Sequence, residues 1–252
     1  MSIPPDGTPL VLLNAFPVDR SQWEGLIAAL VESGAVKGDI IAFDLPGMGE
    51  MPMTLEEPSL ELIADAAVVA MREATGHESA IWVGCSMGGY IALAVAEREP
   101  TAVAGLGLIC TRSTADDAAG VASRLAIADS VEGKPEHPSP RAVAEGLIGT
   151  QGEGREALVA EIAANISRDT GDAIAWGQRA MAARPDRTEV LRGVDAPAVV
   201  IIGENDGVIP RGDAELMADI LDVEPVVLAG IGHLAAFEAP EAVARALAPL
   251  FA

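Results

Sequence analysis

The sequence predicts an α/β fold: a mostly parallel sheet of about six strands, flanked by helices and interrupted by one helical insertion. Three observations carry that reading. Short aliphatic runs recur along the chain, and their near-continuous apolar character is that of strands buried on both faces. Segments with helical periodicity stand between those runs, as parallel pairing demands, because each crossover needs a connecting element. Half of the 252 residues are hydrophobic, enough for a large core, and the length suits one domain with a moderate insertion.

Taken in order, Leu10–Leu13 is the first expected strand. Ser21-Gln22-Trp23-Glu24 has the spacing of a capping box and should open the first helix. Ile40–Phe43 follows as a strand. Ser59–Thr75 reads as a helix because Leu60, Ile63, Ala67 and Met71 share one face. Ala80–Val83 is a strand, Met87–Arg98 a helix, and Val103–Cys110 a strand. After the insertion, Ala198–Ile202 and Val223–Leu228 are strands with a helix over Arg211–Leu221 between them. Pro240 sets the start of a final helix carrying Val243, Leu247 and Leu250.

Arg112–Thr188 breaks the alternation. It is long, helical in texture, and interrupted at Gly133-Lys134-Pro135 and between Gly149 and Gly154. The expected division is a core of residues 1–111 and 189–252 with a helical lid over 112–188. Leu125, Ile127, Leu147, Ile148, Ile162, Ile166 and Trp176 are apolar residues that could line its underside or form its own core.

Chemistry enters at Gly84-Cys85-Ser86-Met87-Gly88, where the strand Ala80–Val83 meets the helix from Met87. A Gly-x-Ser-x-Gly between strand and helix is a nucleophile elbow: the turn is sharp, the serine backbone is strained, and its hydroxyl stands clear of the sheet. A serine hydroxyl needs a neighbouring base. The chain has three histidines. His77 precedes the strand leading to the elbow, at the end away from Ser86, and His137 lies in a Pro-rich loop without apolar framing. Only His233 follows the carboxyl end of an apolar run, Val226-Val227-Leu228, where a parallel sheet collects its site residues. Asp206, in an Asn-Asp-Gly turn beyond Val199–Ile202, can reach back over the strand end to orient that imidazole, with Glu204 as the fallback. The chain order is then Ser86, Asp206, His233.

On these landmarks, together with Leu12-Leu13-Asn14-Ala15-Phe16-Pro17 and Asp44-Leu45-Pro46-Gly47-Met48-Gly49, the chain resembles the α/β-hydrolases, and within them small bacterial esterases and 3-oxoadipate enol-lactonase-like members. The resemblance covers nearly the whole chain. It implies a His-Gly pair where this chain has Asn14-Ala15, and an opening antiparallel hairpin for which the eight residues Met1 to Thr8 are too few. Acyl transfer builds charge on a carbonyl oxygen, which backbone N–H groups must meet. Met87, next to the nucleophile at a helix start, is one candidate donor. Phe16 is the other, since Pro17 has no N–H. Trp23 and Trp176 are candidate pocket walls.

The remaining expectations are limits. Sixteen basic against 38 acidic residues give a net charge of −22, which repels nucleic acid and anionic lipid. No apolar run approaches the roughly 18 residues of a membrane span. The start shows no signal peptide, and Cys85 and Cys110 do not make a disulfide framework, so a cytoplasmic location is expected. No dinucleotide fingerprint, nucleotide loop or metal-ligand spacing appears, and no cofactor is expected. Asp44 reads as a loop anchor. The oligomeric state stays open, a homo-oligomer included. The leading expectation is a serine hydrolase of a small ester, thioester or lactone. The alternatives are carbon–carbon bond hydrolysis or perhydrolysis on the same triad, and a non-catalytic binding member of the fold.

Overall fold

The computed structural model describes Pro4, residues 7–136 and residues 138–251. Six strands form one all-parallel sheet in the order β2-β1-β3-β4-β5-β6. They are β1 (Leu10–Leu13), β2 (Ile40–Phe43), β3 (Ala80–Cys85), β4 (Val103–Ile109), β5 (Ala198–Gly203) and β6 (Val226–Leu228). The helices are α1 (Glu24–Ser33), α2 (Leu60–Thr75), α3 (Met87–Arg98), α4 (Ala118–Val131), α5 (Pro140–Leu147), α6 (Arg155–Ile166), α7 (Gly171–Ala183), α8 (Thr188–Leu191), α9 (Arg211–Leu221), α10 (Ala235–Glu238) and α11 (Pro240–Leu247). The fold class follows the sequence reading.

Strand periodicity of two divides the core. Val11, Leu13, Trp82, Leu106, Leu108, Val200 and Ile202 face one way, onto α2, α3 and α9. Leu10, Leu12, Ile81, Val83, Ile109, Val199 and Ile201 face the other, onto α1 and α11. Alternate residues of the same strand therefore feed two different cores, which is why the runs read as unbroken apolar sequence. Burying each of these large side chains stabilises the fold by roughly 1.5–3 kcal/mol before entropy is counted.

Local chemistry sets the ends. Ser59 caps α2 by accepting from the Leu62 N–H at 3.2 Å, and Gly76, at φ +71°, closes it. The expected capping box at Ser21–Glu24 is not what starts the first helical stretch. Asp19 does that, accepting from the Ser21 N–H at 2.9 Å and the Ser21 hydroxyl at 2.6 Å ahead of a 3-10 turn over Arg20–Trp23. The Ser21 hydroxyl is thereby spent as a donor, and the Glu24 N–H bonds to the Ser21 carbonyl instead. The last strand is shorter than expected. Asp222 sits at φ +54° to end α9 and the Val223 N–H bonds back to Ala218, so pairing begins only at Val226.

Helices α4 to α7 all lie between β4 and β5. They pack as two pairs, α4 on α7 and α5 on α6. No helix of the described residues is long and apolar enough to cross a membrane.

Candidate active site

Because every strand runs the same way, the loops after β1, β3, β5 and β6 emerge on one side of the sheet. Ser86 follows β3 and takes φ +52°, ψ −115°, a left-handed backbone that a serine adopts only under constraint. The constraint is visible. A Cβ on Gly84 would run into the Gly88 carbonyl, and one on Gly88 into the Leu13 carbonyl, so strand and helix approach to a distance that only glycine allows. The Ser86 N–H bonds to the Ile109 carbonyl at 2.9 Å. Its carbonyl accepts from the Gly89 N–H at 2.9 Å and the Thr111 hydroxyl at 2.7 Å. Thr111 is a brace that the elbow pattern does not reveal.

Asp206 and His233 meet across the loops after β5 and β6. The His233 Nδ1 lies 2.9 Å from Asp206 Oδ2 and 3.1 Å from Oδ1, with both side chains almost fully buried. Burial alone would raise the Asp206 pKa. The bond to His233 and the Val208 and Ile209 amides, at 2.8 and 3.1 Å, outweigh it and hold the carboxyl below its ordinary range. An ionised Asp206 accepts only, so Nδ1 carries a proton toward it, and in the neutral imidazole Nε2 is the acceptor. Glu204 is exposed and spends Oε2 on the Gly230 N–H at 2.8 Å, clamping the turn after β6.

Ser86 and His233 share the wall of a cavity of about 400 Å³. Among the described residues the Ser86 hydroxyl makes no hydrogen bond; the two side chains are brought to one cavity, and their bond is not closed. The sheet loops also contribute Phe16, Pro17 and Val208. The opposite wall comes from the helical segment, with Arg124, Ile127 and Val131 of α4, Leu147 of α5, and Ile174, Gln178 and Met181 of α7. The i, i+3, i+7 spacing on α4 and i, i+4, i+7 on α7 turns one stripe of each helix inward.

Met87 opens α3, where first-turn N–H groups have no partner within the helix, and its side chain is buried in the core. The loop bearing Phe16 is tied down on both sides. The Ala15 N–H donates to Gln22 Oε1 at 2.9 Å, and Asn14 Oδ1 accepts from Trp23 Nε1 at 2.8 Å. Trp23 is thus fully buried behind that loop and does not reach the cavity. Trp176 also lies off the cavity wall, its Nε1–H bonded to the Glu56 carbonyl at 3.1 Å. Large and few, both tryptophans invited a pocket role, yet each indole N–H is spent on holding a loop. Leu125 is exposed, and Ile148, Ile162 and Ile166 are buried in the core with α5 and α6. His77 is exposed, and His137 lies outside the described residues.

Glu238 was not legible in sequence. Its Oε2 accepts from the Gly149 and Thr150 N–H groups at 2.9 and 2.8 Å, and its Oε1 from the Gly232 N–H at 3.0 Å. The His233 N–H itself donates to the Leu147 carbonyl at 2.9 Å. One carboxylate therefore ties the helical segment to the loop that carries His233. Cys85 and Cys110 are free and buried, and burial pushes both thiols above their ordinary range. They pack beneath this loop, 3.6 Å from the His233 and Gly232 carbonyls.

A family model described as the alpha/beta hydrolase family matches residues 10–246. Over 240 residues the chain is 30% identical to the dihydrolipoyllysine-residue acetyltransferase component of the acetoin cleaving system of Pseudomonas putida; the match covers 94% of this chain and 61% of that protein, about three fifths of the relative's length. A malate-bound thermophilic esterase from Thermogutta terrifontis superposes with a TM-score of 0.86 at 28% identity, covering 96% of this chain and 88% of that one. The enol-lactonase from Burkholderia xenovorans LB400 shares the fold with a TM-score of 0.83 at 21% identity, over 98% and 92% of the two chains. With its six-stranded parallel sheet and its strained serine at a strand end, this chain belongs to the alpha/beta hydrolase family.

Proposed function

We propose that the protein is a serine hydrolase that cleaves a small carboxylic ester, thioester or lactone through an acyl-enzyme on Ser86. One observation carries the reading: a buried Asp206–His233 pair opens onto the same cavity as a serine held in a left-handed strand-to-helix turn. His233 Nε2 takes the Ser86 proton as the hydroxyl attacks the scissile carbonyl, and Asp206 stabilises the imidazolium that forms. The bond between Ser86 and His233 closes with substrate in place, as catalytic hydrogen bonds commonly do. His233 then protonates the leaving oxygen or sulfur, and deprotonates the water that releases the acyl group.

The amides of Phe16 and Met87 are the oxyanion donors in this reading. Support for Phe16 is the anchoring of its loop through Gln22 and Trp23, which substitutes for the His-Gly pair of relatives. Residues 112–188 act as a lid that selects substrate, since α4, α5 and α7 supply the far wall. A fluorophosphonate should add its mass to Ser86 and abolish hydrolysis of p-nitrophenyl esters. Ser86→Ala should lose both labelling and turnover with its melting temperature close to that of the parent. An alanine variant that still turns over esters would sink the reading.

A further inference from the structure

We propose that Arg124 and Gln178 form an anion subsite at the far wall of the cavity, so that the preferred substrate is an ester or lactone carrying a free carboxylate. The proposal rests on the serine-hydrolase reading of the same cavity and deepens it. The chain carries a net charge of −22, yet no carboxylate lines this cavity among the described residues, and Arg124 is its one permanent cation. The guanidinium is held, not loose. Its Nε donates to Asp116 Oδ2 at 2.6 Å, and its Nη1 to Gln178 Oε1 at 3.1 Å. Nη2 has no acceptor among the described residues.

Asp116 does not neutralise it. The same carboxylate also receives Arg184, through Nη1 at 2.7 Å and Nη2 at 3.0 Å, and it bonds to Arg112. Asp213 is the second carboxylate nearby, 3.6 Å from Arg112 Nη1. Three guanidiniums against two carboxylates leave a positive excess behind the cavity wall. Gln178 follows from the same logic. A guanidinium has only donors, so Gln178 must turn its oxygen toward Arg124 and its NH₂ away from it. The two side chains then offer adjacent N–H groups to one acceptor group.

A carboxylate fits that pair best. It is planar with two acceptor oxygens, which suits one arginine edge and one amide. A phosphate monoester would bring more charge and more oxygens than these donors satisfy. Ile127, Val131, Ile174 and Met181 give the same cavity an apolar lining, which suits a short carbon chain joining the carboxylate to the scissile carbonyl.

The test uses mono-p-nitrophenyl esters of glutaric and adipic acid, each against the same ester with its free acid capped as a methyl ester. Both release p-nitrophenol and differ in charge and by one methyl group. The parent enzyme should favour the free acid, and Arg124→Gln should lower the free-acid to capped ratio of kcat/KM by about 10- to 100-fold, chiefly through KM. Arg124→Lys, which keeps charge without the fork, should fall between. Adipate alone should raise the melting temperature of the parent and of Ser86→Ala but not of Arg124→Gln, whereas inorganic phosphate should not. If Arg124→Gln does not fold, Gln178→Leu leaves Asp116 its arginines and should lower the ratio roughly 3- to 10-fold. Folded variants with an unaltered ratio, or equal stabilisation by phosphate, would overturn the subsite. Arg124-dependent adipate binding without hydrolysis of either ester would instead overturn the serine-hydrolase reading and leave the subsite standing.

Discussion

The two walls of the cavity are built by different means. The sheet side is fixed by backbone: Ser86 by its glycine neighbours and main-chain bonds, and the His233 loop by amides gathered on Glu238. The helical side is fixed by side-chain charge, with Asp116 drawing Arg112, Arg124 and Arg184 together and so locking α4 to the end of α7. Backbone geometry tolerates little displacement, which suits groups that must meet within hydrogen-bond distance of a reacting atom. Ion pairs between side chains can be replaced one at a time, which suits a wall that chooses among substrates. The expectation is that changes on the sheet side act on kcat, and changes on the helical side on stability and selectivity.

The sharpest test of the sheet side compares two carboxylates two residues apart. Asp206→Asn keeps shape but presents an amide to His233 and favours the wrong tautomer; it should lower kcat by about 10³- to 10⁴-fold. Glu204→Gln removes only a turn clamp and should cost less than about tenfold. Measuring kcat/KM for both on one activated ester decides the matter. A severe loss in the glutamine variant beside a near-normal asparagine variant would transfer the orienting role to Glu204.

On the helical side the largest effect should fall on stability. Burial would raise the Asp116 pKa, but the bonds from Arg184 and Arg124 outweigh it and hold the carboxyl far below its ordinary range. Its side chain is only 3% exposed. Asp116→Asn leaves partly and fully buried guanidiniums without their counter-charge, and should destabilise by about 3–5 kcal/mol. Because the folded pKa is depressed, this contribution is complete above the unfolded value near 3.8 and fades as pH falls below it. Urea titration at pH 7 and pH 3 should show a larger gap between parent and variant at the higher pH. An equal gap at both would mean the arginines do not set the stability of this seam.

What could be read in sequence divides along the same line. Backbone devices leave local signatures: two glycines around a serine, an apolar run ending in a turn, a histidine just past a strand. The placement of Ser86, Asp206 and His233 at strand ends was legible because each follows its own strand. Arg124, Asp116 and Glu238 were not, because their partners lie 4 to 89 residues away and charged residues ordinarily face water. The tryptophans misled for the converse reason, since size alone does not reveal whether an indole N–H is needed elsewhere. Asp19 displaced the Ser21 capping box by engaging the Ser21 hydroxyl as a donor, a competition that sequence spacing does not reveal.

The seam between α6 and the loop before α1 offers a weaker contrast within one acidic pair. Asp19 is surrounded by donors: Ser21, Asn165 Nδ2 at 2.7 Å, and Arg168. Burial would raise its pKa, and these donors bring it below the ordinary value. Asp169 is equally buried, but its Oδ2 has no partner among the described residues; burial first, then the nearby Asp19 charge, push it up to about 7. A carboxyl with a raised folded pKa binds its proton more tightly when folded. Its contribution is complete below the unfolded value near 3.8 and is lost as pH climbs to about 7. Asp169→Asn should therefore stabilise the protein at pH 8, by roughly 2 kcal/mol, and change little at pH 4.5. Melting curves at the two pH values check it. A variant less stable at pH 8 would show that Asp169 is charged and useful in the native state.

The smallest effect expected is at the cavity mouth, where the two walls can be compared side by side. Ile127 of α4 and Val208 of the loop after β5 both line the cavity and are 42% and 45% exposed, so either can be enlarged without disturbing a core. Their attachments differ. Ile127 sits on a helix face, whereas the Val208 amide donates to Asp206 Oδ1. Ile127→Trp should narrow the mouth and lower the octanoate-to-acetate ratio of kcat/KM on p-nitrophenyl esters by about 3- to 10-fold, around 1 kcal/mol of discrimination. Val208→Trp crowds the same opening but also perturbs the turn that orients Asp206, so it should lower kcat on both esters as well as their ratio. The two variants thus separate a wall that selects from a wall that reacts. If Ile127→Trp lowers kcat on acetate as much as Val208→Trp does while leaving the chain-length ratio intact, the division of labour between helices and sheet fails.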